Sequence, residues 1–587
     1  MEPATREDRR DPWRLWFAAS VAACCLSFGL LAWSIVAALA GNGEGRAADA
    51  PGAAPSPTPT PALRYRGALP AGAAGLGLQP TGPAETADLA FEPAQPGEGV
   101  PVRIFVAVAA PGAGVDALSR DELAAALRGD AASWAAFGGF DRPIAPAFVG
   151  EPAEAQGILA GLGAGKFDLS RFRFFATAED LRAALTLESG MLAIVPFEGL
   201  RPPMVALAVD GADPARGYVD PHAWPLAERA AVRALTPAGE AARARIEAAI
   251  AWEPPPVTRV VATGDILMSR CTLTAIRATG DWASPLRSPV GDFLAAADIA
   301  AGSLDGSIQD YAEPYGCVST TNLTSPPEVI AALTHAGFDV LTVATNHVFD
   351  CADGGCGAKA MLRTIELLRA AGIATVGGGR NLDEALAPVI IERNGVRFGF
   401  LGFDDIAAED IGATETEPGT APLDDSYADE KSTPPREPAF YKPAEMLSLT
   451  RFEAAIRALK AEADVVVVLV QSGYEDTHAP SPRSIKALRA AADAGADLVV
   501  GNQAHWVQAA EVRGGTFIAY ALGNFIFDQR WTPEHTQGYL LEATFHGAKL
   551  ATIRMLPYQI EGQYRPMFAE GATRLKIIGD VIGTPVE

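Results

Sequence analysis

Separate stretches of this sequence end in side chains able to ligate a cation, hold an anion or move a proton. They are Thr263-Gly264-Asp265, Ser303-Leu304-Asp305-Gly306, Thr345-Asn346-His347 with Asp350 beyond it, Gln471-Ser472-Gly473-Tyr474-Glu475, Asn502-Gln503-Ala504-His505-Trp506 and Gly523-Asn524. Carboxylates, imidazoles and amide oxygens coordinate divalent metals, and an Asn-His pair can also hold a phosphate. Any one of these stretches alone reads better as a polar loop capping a strand. Together, with Asp, Asp, Asn-His, Gln, Gln-x-His and Asn in turn, they point to one shared site.

The elements that must position these groups are legible upstream of them. Val340-Leu341-Thr342-Val343-Ala344 is apolar or β-branched without a break, as a strand buried on both faces reads. Similar runs predict strands at 259–263, 299–302, 373–376, 397–403, 465–470, 498–501 and 517–522. Helical patterns fall at 327–336, 358–371, 452–463 and 484–494. Alternation of this kind predicts a layered α/β fold, in which chemistry collects at the carboxyl ends of strands. An acidic, Pro-containing interruption over 404–446 predicts a surface loop of low order.

A chain of 587 residues predicts two or three domains. With 47 basic and 71 acidic residues the net charge is −24, which repels nucleic acid, and no basic cluster with aromatics offsets it. Arg6, Arg9, Arg10 and Arg14 precede the uncharged segment 15–40, which is long enough to span a bilayer as a helix. The arginine bias keeps residues 1–14 cytoplasmic and exports the rest, so the expected localisation is a single-pass cell-membrane protein with its C-terminal domains outside. A cleaved signal peptide is the rival reading, with Ala38-Leu39-Ala40 as its cleavage site. Pro51, Pro55, Pro57, Pro59 and Pro61 mark a Pro-rich linker expected over 41–100.

Residues 101–251 predict a smaller α/β domain. Ser119 and Glu122 form a capping box ahead of a helix, Thr177 opens another, and 191–196 is a buried strand. The pairing of "SRDELAAALRG" with "GMLAIVPFEGL" resembles half of a periplasmic binding domain. No titratable cluster appears here, so a structural or docking role is expected ahead of ligand binding.

Over 257–560 the set and order of motifs resemble the CapA family of capsule and poly-γ-glutamate biosynthesis proteins. The residues that carry this are "VATGDI", "GSLDGSI", "AGFDVLTVATNHVFDCADGG", "LLRAAGIATVGGGRNLDEA", "AGADLVVGNQAHWVQ" and "YALGNFIFD". The resemblance implies a four-layer metallophosphoesterase-like sandwich, with 561–587 as a C-terminal tail. It also implies that Asp265 and Asp305 are metal carboxylates with Asp305 bridging, that Asn346 and His347 sit at metal or substrate, and that Gln503 and His505 are late ligands. Two divalent cations (Mn, Fe, Zn or Mg) about 3.5–4 Å apart would share a carboxylate and acidify a water. His347, with Asn346, would then polarise substrate or protonate a leaving group. The chain departs from the family pattern at Gln503-Ala504-His505, where His-Pro-His is usual, at Gln471-Ser472-Gly473, and at Asp305 in place of Glu. A Gln amide oxygen binds these metals less well than imidazole, so the metal is expected to be weakly held or absent as one alternative.

Cys271, Cys317, Cys351 and Cys356 allow three pairings, and an exported chain favours disulfides. The expected pairs are Cys271 with Cys317 and Cys351 with Cys356, bracing loops beside the site, against a four-thiolate zinc site. Cys24 and Cys25 fall in the expected membrane span. His335 reads as a helix-end residue, His478 as a loop residue, Trp506 as cleft wall and Gly377-Gly378-Gly379 as a tight turn, while His535 could reach over the site.

Three roles are open to this sequence. One is a membrane-anchored, metal-dependent hydrolase or transferase acting on an anionic surface polymer, such as poly-γ-glutamate, or on a phosphoester, alongside polymer-synthesis machinery. The second is a catalytically degenerate factor that binds or exports polymer without turnover. The third is a docking protein using residues 101–251.

Overall fold

The computed structural model describes residues 62–587 except 83–84, 164, 311–316, 318–321, 352–355 and 430–440. The expected membrane span at 15–40, with Cys24 and Cys25, and the linker residues 41–61 lie outside the described residues. Among the described residues no helix is long and apolar enough to cross a membrane.

The N-terminal part is built on one mixed sheet. Strand Val100–Ala109 lies between Ala227–Ala234 and Met191–Pro196, antiparallel to both. Ser119 and Glu122 exchange hydrogen bonds at the start of helix Arg120–Arg128, and Thr177 caps Ala178–Leu187, as their sequences predict. Three short strands, Arg64–Arg66, Gln79–Pro80 and Leu89–Pro93, extend the sheet. That corrects the reading of 41–100 as linker throughout. Leu89 and Phe91, two residues apart, bury with Ile246 and Ile250 of helix Pro237–Ile250, a long-range contact that local composition does not reveal.

The C-terminal part carries two facing sheets. In the first, parallel strands Ala374–Val376, Phe338–Thr342, Ile299–Leu304 and Val257–Ile266 lead into an antiparallel run of Gln537–His546, Lys549–Glu561 and Arg565–Phe568. In the second, Val396–Asp404, Val465–Gln471, Leu498–Asn502 and Thr516–Ala519 run parallel between antiparallel edges Val389–Arg393 and Ala510–Arg513. Val465–Gln471 shows no polar alternation because both its faces are buried. Val260, Ile299 and Val340 of one sheet pack on Phe398, Val465 and Leu498 of the other. Helices Arg270–Thr279, Pro289–Ala295 and Ala358–Ala370 cover the outer face of the first sheet. Thr450–Glu462 and Pro482–Ala494 cover that of the second.

Two further expectations change. The tail expected at 561–587 holds helix Gly571–Gly583, whose Ile577 and Val581 enter the core between the sheets. Of the loop expected at 404–446, the described part at 404–429 is largely packed. Leu423, Ala421 and Leu447 are buried under the second sheet's helices, and Asp404 is the last residue of a strand.

The two parts are sewn together. Ala206 donates its N–H to Thr552 Oγ1 at 3.2 Å, and that hydroxyl donates to Met204 O at 2.8 Å. Arg216, from the N-terminal part, meets Arg259 and Arg554 on the buried carboxylate of Glu542.

Candidate functional site

The strand ends converge. Asp265 lies near the end of Val257–Ile266 and is paired in register with Ser303 on one side and Asn524 on the other. Gly264 permits this, since a Cβ there would lie 1.7 Å from Gly523 O. Asp305 follows Ile299–Leu304 and donates its N–H to Ile266 O at 3.0 Å, which sets it beside Asp265. Gln471 and Asn502 pair in register at the ends of the second sheet's central strands. Gln503 donates its backbone N–H to Asp265 Oδ2 at 3.2 Å, so the two sheets meet at this carboxylate.

The site is defined by acceptors that lack donors. Asp265 Oδ1, both oxygens of Asp305, Asn346 Oδ1 and Asn502 Oδ1 are buried without a hydrogen-bond partner. Asp305 is 0 % exposed and Asp265 1 %. Buried polar atoms are almost always paired, so this concentration of orphan oxygens marks a place shaped for a positive ligand. Burial, and for Asp265 the charge of Asp305 as well, pushes both carboxyls above the usual range. Among the described residues no group of three His, Cys, Asp or Glu side chains is placed to hold a metal ion. The donor set is instead two carboxylates with amide oxygens, a hard-oxygen set that suits Mg or Mn.

The two imidazoles differ in character. His505 is 4 % exposed, and burial drives its pKa down to about 3, aided by the charges of His347, His535 and Arg270. Its Nδ1 lies 2.9 Å from Asn524 Oδ1, while Asn524 Nδ2 donates to Gln529 Oε1 and His535 O. That network assigns the proton to Nδ1 and leaves Nε2 a lone pair, the form a ligand requires. His347 is the opposite. Burial alone would lower it, but the hydrogen bond to Asp350 at 2.7 Å and the charges of Asp305 and Asp350 raise its pKa to about 8. Of the two imidazoles it is the one the surrounding carboxylates favour in the protonated form.

Gln503 is engaged elsewhere. Its Oε1 accepts from Gln471 Nε2 at 2.9 Å and its Nε2 donates to Glu475 Oε1 at 3.1 Å. Gln503 and His505 both carry positive φ, 92° and 58°, and Arg270 beside the site does so at 50°. Such strain at three non-glycine residues is characteristic of functional loops. Arg270 pairs with both oxygens of Asp528.

Asn502, Ser303 and Asp350 lie in or beside the strand ends picked out from the sequence, which gave them no role of their own. His535 closes the rim, with Nε2 donating to Asp476 at 2.7 Å and its ring edge-on to Trp506. The bonds Cys271–Cys317 and Cys351–Cys356 are both present and flank Asp265 and Asp350 in the chain.

Residues 259–529 match the family model described as "Bacterial capsule synthesis protein PGA_cap". The chain is 29 % identical over 308 residues to "Capsule biosynthesis protein CapA" of Bacillus anthracis, covering 52 % of this chain and 68 % of that protein. It is 30 % identical over 270 residues to "PGA biosynthesis protein CapA" of Bacillus subtilis (strain 168), covering 46 % and 63 % respectively. The matched span is therefore about two thirds of those relatives' length. Among solved structures, an ABC-type phosphate transport receptor from Vibrio cholerae aligns at 15 % identity over 28 % of this chain and 73 % of its own, with a TM-score of 0.23, which establishes no shared fold. Over residues 259–529 the chain is thus similar to the CapA capsule biosynthesis proteins.

Proposed function

We propose that this chain serves capsule or poly-γ-glutamate-type polymer synthesis or export as a membrane-anchored extracytoplasmic protein, and that its C-terminal cleft is a metallophosphoesterase-like hydrolytic site dependent on a divalent cation. The observation that carries the site is the cluster of donor-less buried oxygens on Asp265, Asp305, Asn346 and Asn502. These four residues, with His505 through Nε2, would hold the cation. A cation bound there supplies Lewis acidity toward a phosphoryl or carbonyl oxygen and lowers the pKa of a water. The chain's own residues do the rest. His347, protonated and fixed by Asp350, is the acid for a leaving group. Asn524 holds the His505 ring in its ligating tautomer. Glu475, raised by burial and by the charges of Asp476 and Asp305, lines the same space and lies 4.0 Å from His505 Nε2, while Asp265 lies 3.7 Å from its Nδ1.

Metal analysis of the full chain purified in detergent tests this reading. Stoichiometric Mn or Mg, lost in Asp265→Ala with Asp305→Ala, is the expected result, together with hydrolysis of a phosphodiester or γ-glutamyl substrate that fails in His347→Gln. Absence of metal from the wild-type chain at millimolar Mn overturns it.

One observation favours a second reading, a polymer-binding or export factor without turnover. The bond from Gln471 Nε2 to Gln503 Oε1 ties up the oxygen that stands where the family usually offers an imidazole. Metal binding with no turnover on any of these substrates selects this alternative.

A further inference from the structure

Four basic side chains of this acidic protein line cavities where its two parts meet. A cavity of about 510 Å³ is lined by Arg182 and Arg201 from the N-terminal part and by Lys549 and the Gly514-Gly515 turn from the C-terminal part. A second cavity, of about 360 Å³, is lined by Arg142 and again by Arg182. The two share Arg182 in their walls, and the seam is the pair of them.

The charge in the seam is under-compensated. Arg182 Nε donates to Glu179 Oε1 at 2.8 Å, and Arg201 Nη1 to Oε2 of the same carboxylate at 3.1 Å. Two guanidiniums thus share one carboxylate that is itself half exposed. Lys549 Nζ donates to a carbonyl, Glu198 O, at 2.8 Å, and partial burial with the charge of Arg201 holds its pKa down. Among the described residues the Arg142 guanidinium has no carboxylate partner and lies over the Phe140 ring at 5.2 Å. The other carboxylates that line the two cavities are taken. Asp497 is held by Lys460 at 2.6 Å and Glu511 by Arg489 at 2.7 Å. Four cations therefore face two carboxylates, Glu179 and the Arg103-paired Glu198, in a chain of net charge −24.

We infer that this seam binds an extended polycarboxylate, with Arg142, Arg182, Arg201 and Lys549 engaging successive carboxylates along one strand of it. Cations spread over two cavities that share Arg182 fit charges spaced along a chain better than they fit one small anion, for which either cavity alone would serve. Guanidiniums with unused N–H groups suit carboxylates in particular. The seam is remote from the metal cleft. Asp497 stands at the entry of the strand Leu498–Asn502, whose other end leads to Gln503, about 15 Å away at 3.3 Å per residue. It also gives the N-terminal part a task, holding polymer while the cleft acts on it or passes it on. This choice of ligand rests on the polymer reading of the function; the site itself does not require the metal.

The test uses the full chain in detergent with EDTA at low salt, titrated with glutamate, a γ-glutamate hexamer and inorganic phosphate. The hexamer is expected to bind about tenfold or more tighter than the monomer, as linked charges do. Arg201→Gln with Lys549→Gln should lower hexamer affinity by at least that factor, with the melting temperature kept. Arg142→Gln, at the far end of the seam, should weaken the hexamer and leave glutamate alone. Asp265→Asn with Asp305→Asn should leave hexamer binding in place, even if the chain proves to hold no metal. Equal binding of all three probes, phosphate binding without hexamer binding, no binding at all, or hexamer binding lost in the aspartate variant and kept in the seam variants overturns the inference.

Discussion

Two groups of buried carboxylates stand at the strand ends of the two sheets, and they are built in opposite ways. At the second sheet Asp404, Asp405 and Asp424 are surrounded by donors. Asp405 accepts from Arg483 Nε and Nη2 at 2.7–3.0 Å and from Ser472 Oγ at 3.0 Å. Asp424 accepts from Arg483 at 3.1 Å and from Ser426 N at 3.1 Å. Asp404 accepts from Ile406 N, Ala407 N and Thr420 Oγ1. At the first sheet neither oxygen of Asp305 has a donor and Oδ1 of Asp265 has none, while Gln503 N donates to Asp265 Oδ2 with Ser303 and Gln471 beside that carboxylate. Burial is the same in both, so burial does not separate function from structure. The supply of donors does. A satisfied carboxylate is finished by folding, whereas an orphaned one is finished by a ligand.

The largest effect expected from this contrast is at Arg483. Arg483→Ala would leave Asp405 and Asp424 buried and unpaired, a change that costs about 3–5 kcal/mol. Urea denaturation should show that loss, and a drop under about 1 kcal/mol, the size of a surface pair, would break the comparison.

Asp404 gives the next effect, and its sign is set by pH. Burial, only partly offset by its three donors, pushes its carboxyl up to about 7. The folded chain therefore holds a proton between about pH 4 and 7 that the unfolded chain releases, and stability falls as pH rises through that window. Asp404→Asn keeps the shape and removes the charge. It should stabilise the protein at pH 8 by roughly 2–4 kcal/mol and do nothing at pH 4. A gain that is the same at both pH values would mean that Asp404 is not titrating in the fold.

Much of this arrangement was readable in the sequence, for a reason that also explains what was not. Val340–Ala344 and Val465–Val470 are continuous apolar runs because they lie between layers, and the polar residues that end such runs mark the site. Local patterns also revealed the Ser119 cap. Leu89–Pro93 and the strands Gln537–His546 and Lys549–Glu561 escaped, because their partners are distant in the chain or their alternation is broken by bulges. The 404–446 segment looked like loose loop since Asp405 and Asp424 find their partner in Arg483, which lies far along the chain from them. For the same reason nothing local distinguished Asp404 and Asp405 from Asp265 and Asp305. Which of the four would find donors depends on what folds against them.

A smaller effect, opposite in sign to that at Arg483, is expected at the orphaned pair. Asp305→Asn removes a charge that no donor compensates, so in EDTA it should stabilise the chain by about 1–3 kcal/mol while abolishing metal binding. Thermal melts with and without Mn read both at once: wild type should gain stability from Mn and the variant should not. A variant that melts lower than wild type in EDTA would put Asp305 in the structural class with Asp405.

The smallest effect sharpens the boundary between the two classes at Gln503, which belongs to neither. Its side chain sits at the site, yet its oxygen already has a donor in Gln471 and its nitrogen an acceptor in Glu475. Gln503→His would trade that amide pair for an imidazole whose lone pair faces the same space as the lone pair of His505. The backbone asks for φ near 92°, which Gln already bears, so the exchange adds little new strain. If the cleft takes a cation, Mn or Zn affinity by calorimetry should rise about tenfold, the scale on which a single change at a metal site acts. Unchanged affinity would mean that the amide pair is a wall of the cleft rather than a weakened ligand, and the orphan oxygens of Asp265, Asp305, Asn346 and Asn502 would then constitute the whole of the charged recognition at that end of the sheets.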